Sequence, residues 1–399
     1  MNKNEQPTRT DKRPVWLLKE AGDFGVFRSQ VTQQTSLSDL DHADEVVQNV
    51  PVYNGQHVRD VGSQDRKSLT AEFCRVFGSG PGVIVIKNGI PDTTVLDRAT
   101  QIFEQLIAQE RELGSGGGDH FAKPGANDRV WNAVQKHCLA DPENFADYYC
   151  ADTIALASEA WLGPGYQMTA QVNRVNPGAA AQTPHRDYHL GFMSTEQAIE
   201  YPAPVHAISP LLTLQGAVAH CDMPIESGPT VFLPYSQHFA EGYVAFQRPE
   251  YQDYFAQHAV QLPLDKGDLI FFNPALMHGA GSNQSVNISR MANLLQVSSA
   301  FGRAMEGVDR VAMVRHVYPI LRDRSSAGLT QAIRNVVAVS TEGYPFPGNL
   351  DTDPPIDGRA PQSQTGLTLD ALEKQLDVDA FLDRLSALVD RKNASSKPV

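Results

Sequence analysis

Residues 265–290 read DKGDLIFFNPALMHGAGSNQSVNISR, and the rest of the chain is understood from this stretch outward. Lys266-Gly-Asp is a turn signal, 268–273 (DLIFFN) is a short apolar run, and 279–283 is a second turn. Arg290 then opens another run, 290–297 (RMANLLQV). Runs this short, punctuated this often, predict strands of a sandwich or barrel. His278 follows the first of these runs, and Arg290 lies on the next strand.

The same rhythm extends upstream to 166. Met168, Ala170 and Val172 alternate with Thr169, Gln171 and Asn173, the period of a half-buried strand. Further strands are predicted at 211–220, 229–233 and 259–264, separated by Asn176-Pro-Gly and Ser227-Gly-Pro. Farther out, 82–86 (GVIVI) is a buried strand, and Pro91 opens a helical pattern through Val95, Ile102, Phe103, Leu106 and Ile107. The Gly-rich 114–119 lacks the Lys-Ser/Thr ending of a phosphate loop and is expected to be a flexible connection. Residues 15–70 show little periodicity, and 1–14 are expected to be disordered. Beyond 300, helical spacing returns at Val311, Val314, Tyr318 and Leu321 and again over 328–338. After a Pro/Gly/Asp-rich linker at 343–366, a single amphipathic helix is expected over about 368–391, with Leu372, Leu376, Phe381, Leu385 and Leu388 on one face.

Composition narrows the function classes. A formal net charge of −13 opposes a sequence-independent grip on nucleic acid or anionic membrane. Four cysteines, none in a C-x-x-C pair, fit free thiols in a reducing compartment. The polar N-terminus and the lack of any run near ~18 apolar residues predict a cytoplasmic protein with no membrane partner.

The chemistry lies in His-x-Asp. On a strand, residues i and i+2 project to one side, so His-x-Asp offers an imidazole and a carboxylate to one metal. A third ligand from a remote strand completes the two-His, one-carboxylate face that suits a non-haem iron(II) site with open positions. The motif occurs three times: His42/Asp44, His185/Asp187 and His220/Asp222. The first lies in an acidic segment outside the β region. The other two lie in β context, so either could pair with His278; the bland alternative makes each a turn or core histidine. Arg290, on the strand after His278, could pair bidentately with the distal carboxylate of 2-oxoglutarate while the keto acid end chelates the metal. Its structural alternative is a strand-edge arginine beside an acid.

Taken together, residues 76–300 resemble the phytanoyl-CoA dioxygenase family. The resemblance rests on the 82–86 strand and its helix, Gln171, His185-x-Asp187, the segment Glu226-Ser-Gly-Pro-Thr-Val-Phe-Leu-Pro-Tyr-Ser-Gln-His238, and His278 followed by Asn283-x-Ser285 and Arg290. In that family the middle element lies between the His-x-Asp pair and the distal His, which selects 185/187 over 220/222. Where members commonly have Pro-Gly-Ser-His, this chain has Pro234-Tyr-Ser-Gln-His238. The resemblance implies a mainly β, double-stranded β-helix (jelly-roll) core braced by helices. It implies Fe(II) held by His185, Asp187 and His278, 2-oxoglutarate as co-substrate bound by Arg290 with Gln171 and Ser285, and O2 as oxidant. The intact Asp187 favours hydroxylation, since related halogenases carry a small residue there. The expected substrate is a small organic molecule. The expected organisation is an N-terminal extension (1–72), an oxygenase domain (73–325) and a C-terminal helical extension (326–399). His238 and His220 are expected to be structural, and 119–123 to border a substrate entrance. Two other functions compete: a cupin-like enzyme of different metal chemistry, which would use more histidines and leave Arg290 idle, and a catalytically silent binding protein.

Overall fold

The computed structural model describes residues 15–113 and 126–393. Expectations for 1–14, for the Gly-rich stretch at 114–119 and for 119–123 lie outside the described residues. Eleven strands are present among those described: β1 Glu45–Val47, β2 Val50–Asn54, β3 Val83–Lys87, β4 Asn127–Val130, β5 Gln167–Val175, β6 Thr213–Ala219, β7 Thr230–Leu233, β8 Val260–Gln261, β9 Leu269–Phe272, β10 Met277–Ala280 and β11 Arg290–Ser298. They form an eight-stranded sheet in the order β1-β2-β3-β9-β6-β11-β5-β4 and a three-stranded sheet in the order β10-β7-β8. Within both sheets β2–β3 is the one parallel pair among the described residues.

The large sheet is buried on both faces, which explains its composition. Val83 and Val85 of β3 pack with Ala217, Ala219, Ile270 and Phe272 against Phe232 of the small sheet. Ile84 and Ile86, one step out of phase, join Leu214, Val218, Phe271 and Leu295 under the helices. A strand with apolar partners on both sides has no reason to alternate, and 82–86 does not. The helical layer includes Thr93–Glu112, Pro142–Tyr149, Arg310–Arg324 and Gln331–Ser340.

Three expectations need correction. The chain is not mainly β: fifteen α-helices accompany the eleven strands among the described residues. Several of these helices come from 15–70, where local caps rather than strong periodicity set the boundaries. Asn54 accepts from the Gln56 and His57 amides to start Gly55–Gln64, and Asp65 accepts from Ser68 to start Arg66–Gly78. The single helix expected over 368–391 is two, Gln364–Glu373 and Val378–Lys392. Gln375 takes a left-handed conformation (φ 51°), and Asp377 caps the second helix through the Ala380 amide. Finally, the strand expected over 259–264 is reduced to Val260–Gln261, while Met277–Ala280, around His278, is a strand in its own right.

Candidate metal centre

After β5 the chain turns at Asn176-Pro-Gly and runs back beside β10. The Gln182 amide donates to the Ala280 carbonyl, and His185 and His278 exchange both backbone hydrogen bonds, at 2.8 and 3.0 Å. Residues paired directly across antiparallel strands project to the same side. The two imidazoles accordingly lie with ring centroids 4.5 Å apart, and Asp187, two residues on, shares their face. Its carboxylate oxygens lie 3.8 Å from His185 Nε2 and 3.7 Å from His278 Nε2. One ligand atom from each of the three residues lies within 4.8 Å of the others. Metal–ligand bonds of about 2.0–2.2 Å put neighbouring donor atoms about 3 Å apart, so a small contraction brings all three into one coordination sphere.

Both histidines turn a free ring nitrogen to the shared point. Nδ1 of His185 lies 2.8 Å from the Thr183 carbonyl, and Nδ1 of His278 lies 2.8 Å from the Leu276 carbonyl. A carbonyl only accepts, so Nδ1 carries the proton and Nε2 presents its lone pair to the shared point. Burial, then the neighbouring His185, pushes the His278 imidazolium down to about 4, which favours the neutral, ligating form.

Around these three side chains lies a frame that the sequence alone did not reveal. Arg186, buried between the two ligands of its own segment, donates to the carbonyls of Phe239 and Ser236. Ser236 Oγ accepts from the Met277 amide, so one turn ties the segment of His185 to the strand of His278. Gly242 lies against the Arg186 guanidinium, where a Cβ would overlap it. Tyr243 donates to the Asp187 carbonyl at 2.8 Å. On the sheet side, Gln215 Nε2 donates to Asp187 Oδ2 at 2.6 Å, and Gln296 stands next to Gln215. The one local hint was Gln215, a glutamine among the small and apolar residues of TLQGAVA; Gln296 lies in a strand with several polar residues and carried none.

Arg290 opens β11 on the face turned toward the small sheet. It is 6% exposed, its Nε has no hydrogen-bond partner among the described residues, and burial lowers its guanidinium to about 10, opposed only by the Cys221 thiol among those residues. It borders a cavity between the sheets lined by Ala217, Ala219, Leu262, Ile270, Ala292 and Leu294. Gln171 is buried opposite Leu294, where it accepts from Arg129 and donates to Met305 Sδ. Ser285 is engaged inside its own turn: its hydroxyl donates to Asn283 Oδ1 at 2.6 Å and accepts from the Ile288 amide.

The other two His-x-Asp pairs do not converge. His42 bonds Ser68, while Asp44 accepts from the Asn54 amide. His220 turns into the helical layer between Thr100 and Tyr148, and Asp222 accepts from the Lys266 amide. His238 fixes a turn by bonding the Gly80 carbonyl.

Comparison with known proteins adds the family. No curated protein matches the chain. Among solved structures, the fold is similar to the non-heme alpha ketoglutarate dependent carbocyclase SnoK from nogalamycin biosynthesis (20% identity, 63% of this chain and 92% of that one, TM-score 0.45). It is also similar to AviO1 from Streptomyces viridochromogenes Tue57 (18%, 60% and 98%, 0.41) and to HygX from Streptomyces hygroscopicus with nickel and 2-oxoglutarate bound (14%, 60% and 90%, 0.38). The model of the phytanoyl-CoA dioxygenase family matches residues 79–292, a span that runs from the β3 strand through both halves of the triad to the start of β11. On that match, which takes in more than half of its length, the chain belongs to the phytanoyl-CoA dioxygenase family.

Proposed function

We propose that the protein is an iron(II)- and 2-oxoglutarate-dependent oxygenase that hydroxylates a C–H bond of a small organic molecule. Its two facing sheets are read as the halves of a double-stranded β-helix. The observation that carries this proposal is the convergence of His185, Asp187 and His278, two imidazoles and one carboxylate, on a single point. Three protein ligands on one face leave positions open, the donor set suited to non-haem iron(II).

The surroundings fit the co-substrate as well. A buried arginine without an acidic neighbour is costly, and the remedy is an anion that arrives with the ligand. Arg290 would take the distal carboxylate of 2-oxoglutarate, beside the small side chains of Ala217, Ala219 and Ala292 that line the narrow cavity it borders. With its guanidinium at about 10, Arg290 remains a cation at neutral pH. Gln171 is placed on the same sheet face, and Ser285 braces the turn that leads into Arg290; these are proposed as secondary contributors to the co-substrate site. Bound iron(II) would supply the activation of O2, coupled to oxidation of 2-oxoglutarate to succinate and CO2, with one oxygen atom going to the substrate as hydroxyl and the other to succinate. The chain's own part is to hold the three ligands, neutralise the co-substrate and enclose the site between two sheets.

The test is succinate formation from 2-oxoglutarate by the purified protein in air, with and without added iron(II). Slow turnover that requires iron is expected even without the substrate. Succinate at background level in both samples would overturn the proposal.

A further inference from the structure

The environment of Asp187 holds more than the ligand set requires. Gln215 is 3% exposed on β6, and its Nε2 lies 2.6 Å from Asp187 Oδ2 and 3.3 Å from Gln296 Oε1. Gln296 Oε1 also accepts from the Tyr188 hydroxyl at 3.1 Å. Both hydrogens of the Gln215 amide nitrogen are thus directed at oxygens. Flipping the amide would set its own oxygen against a carboxylate and a carbonyl, so the orientation is fixed by its partners. The consequence is a buried Gln215 Oε1 with no hydrogen-bond partner among the described residues. An unpaired buried acceptor destabilises a fold, and Met or Leu would suit the surrounding TLQGAVA strand better. The amide is therefore placed for what its nitrogen does to Asp187.

We propose that Gln215 is the positioning residue of the metal centre. It fixes the rotation of the Asp187 carboxylate by holding Oδ2, the oxygen 3.7 Å from His278 Nε2, which leaves Oδ1, 3.8 Å from His185 Nε2, without that donor, and Gln296 with Tyr188 locks the amide in that pose. This inference rests on the assignment of the triad as a metal site. A hydrogen bond to one oxygen of a ligating carboxylate fixes the rotation of the group and biases metal binding toward the other oxygen. Without the donor, Asp187 is free to turn both oxygens to the metal and occupy a position needed by co-substrate or oxygen.

Cobalt(II), whose visible absorption reports coordination geometry, is the probe. Binding and spectrum are to be measured for the wild type, Gln215→Met, Gln215→Asn and, as control, Asp222→Ala. Removing such an outer donor should weaken cobalt(II) binding by roughly 10- to 100-fold. The visible spectrum should change in both Gln215 variants, with metal-free thermal unfolding close to wild type. Gln215→Asn keeps an amide but loses the reach, so it carries the test if Gln215→Met does not fold. Asp222→Ala should match the wild type. Wild-type affinity and spectrum in the Gln215 variants would overturn this inference and leave the triad standing. A wild type that binds no cobalt(II) would overturn the proposed function, and this inference with it.

Discussion

At the scale of single residues, Arg290 is where burial and charge conflict most openly. Desolvation alone acts against its guanidinium, and only the weak Cys221 thiol opposes that effect. If the missing partner is the co-substrate carboxylate, Arg290→Ala should weaken 2-oxoglutarate binding by roughly two orders of magnitude, the scale of a lost charge-assisted pair. Metal binding should be unchanged, and Arg290→Lys should restore little, because an ammonium cannot supply the two-pronged geometry. Titration of 2-oxoglutarate into metal-loaded protein without oxygen checks this; wild-type affinity in Arg290→Ala would remove the arginine from the site. As candidates, Arg290, His278 and the His185/Asp187 pair were legible because their order and spacing are themselves the pattern; the last three come together in the fold, and the role of Arg290 belongs to the proposal. Gln215, Gln296 and Arg186 were not. Their roles depend on which strands become neighbours, and nothing local to TLQGAVA says that Asp187 will lie against it. Choosing between 185/187 and 220/222 likewise needed the family order, since the residue type and spacing are the same in both.

At the scale of elements, β6 divides its two faces between two tasks. Gln215, Ala217 and Ala219 face the site, while Leu214, Val218 and then His220 face the helices. Thr100 donates its hydroxyl to the Leu96 carbonyl, so it accepts from His220 Nδ1, and Tyr148 donates to Nε2. The imidazole is held neutral, with burial pushing it down to about 3. A folded pKa depressed below the unfolded value of about 6.5 means that the unfolded chain takes up the proton first. The contribution is therefore full above about pH 6.5 and falls as pH drops toward 3. Between pH 7 and pH 5 the loss from this one group is about 2 kcal/mol. Denaturant unfolding at the two pH values should show a smaller drop in His220→Gln than in the wild type; equal drops would place the acid sensitivity elsewhere. Elements buried on both faces, such as β3, were legible as unbroken apolar runs. Those of 15–70 were not, because Gly55–Gln64 and Arg66–Gly78 are announced by single capping side chains within a polar stretch. Strand β10 (MHGA) is four residues long and has no β-branched member, so its pairing with β7 had no local signature.

At the scale of the whole molecule, the segments outside the family match are built into the same interior as the segments within it. Leu372, Phe381, Leu385 and Leu388 from the C-terminal helices share one apolar cluster with Phe271, Met291 and Leu295 of the large sheet, and Phe381 stacks on Tyr318 at 3.7 Å. No helix among the described residues is long and apolar enough to cross a membrane. The apolar face of the last helix was legible from its spacing, whereas the surface it covers was not, since that surface comes from remote strands. The candidate metal centre has the same character: two of its three side chains arrive on a segment beyond β5, the third on β10, and the fold is what brings them together. The most direct test is accordingly an anomalous-scattering map from crystals grown with iron(II) under anaerobic conditions. One metal peak is expected, about 2.0–2.2 Å from His185 Nε2, His278 Nε2 and one oxygen of Asp187. A peak at another set of residues, or no peak in crystals where the three side chains remain together, would contradict the account.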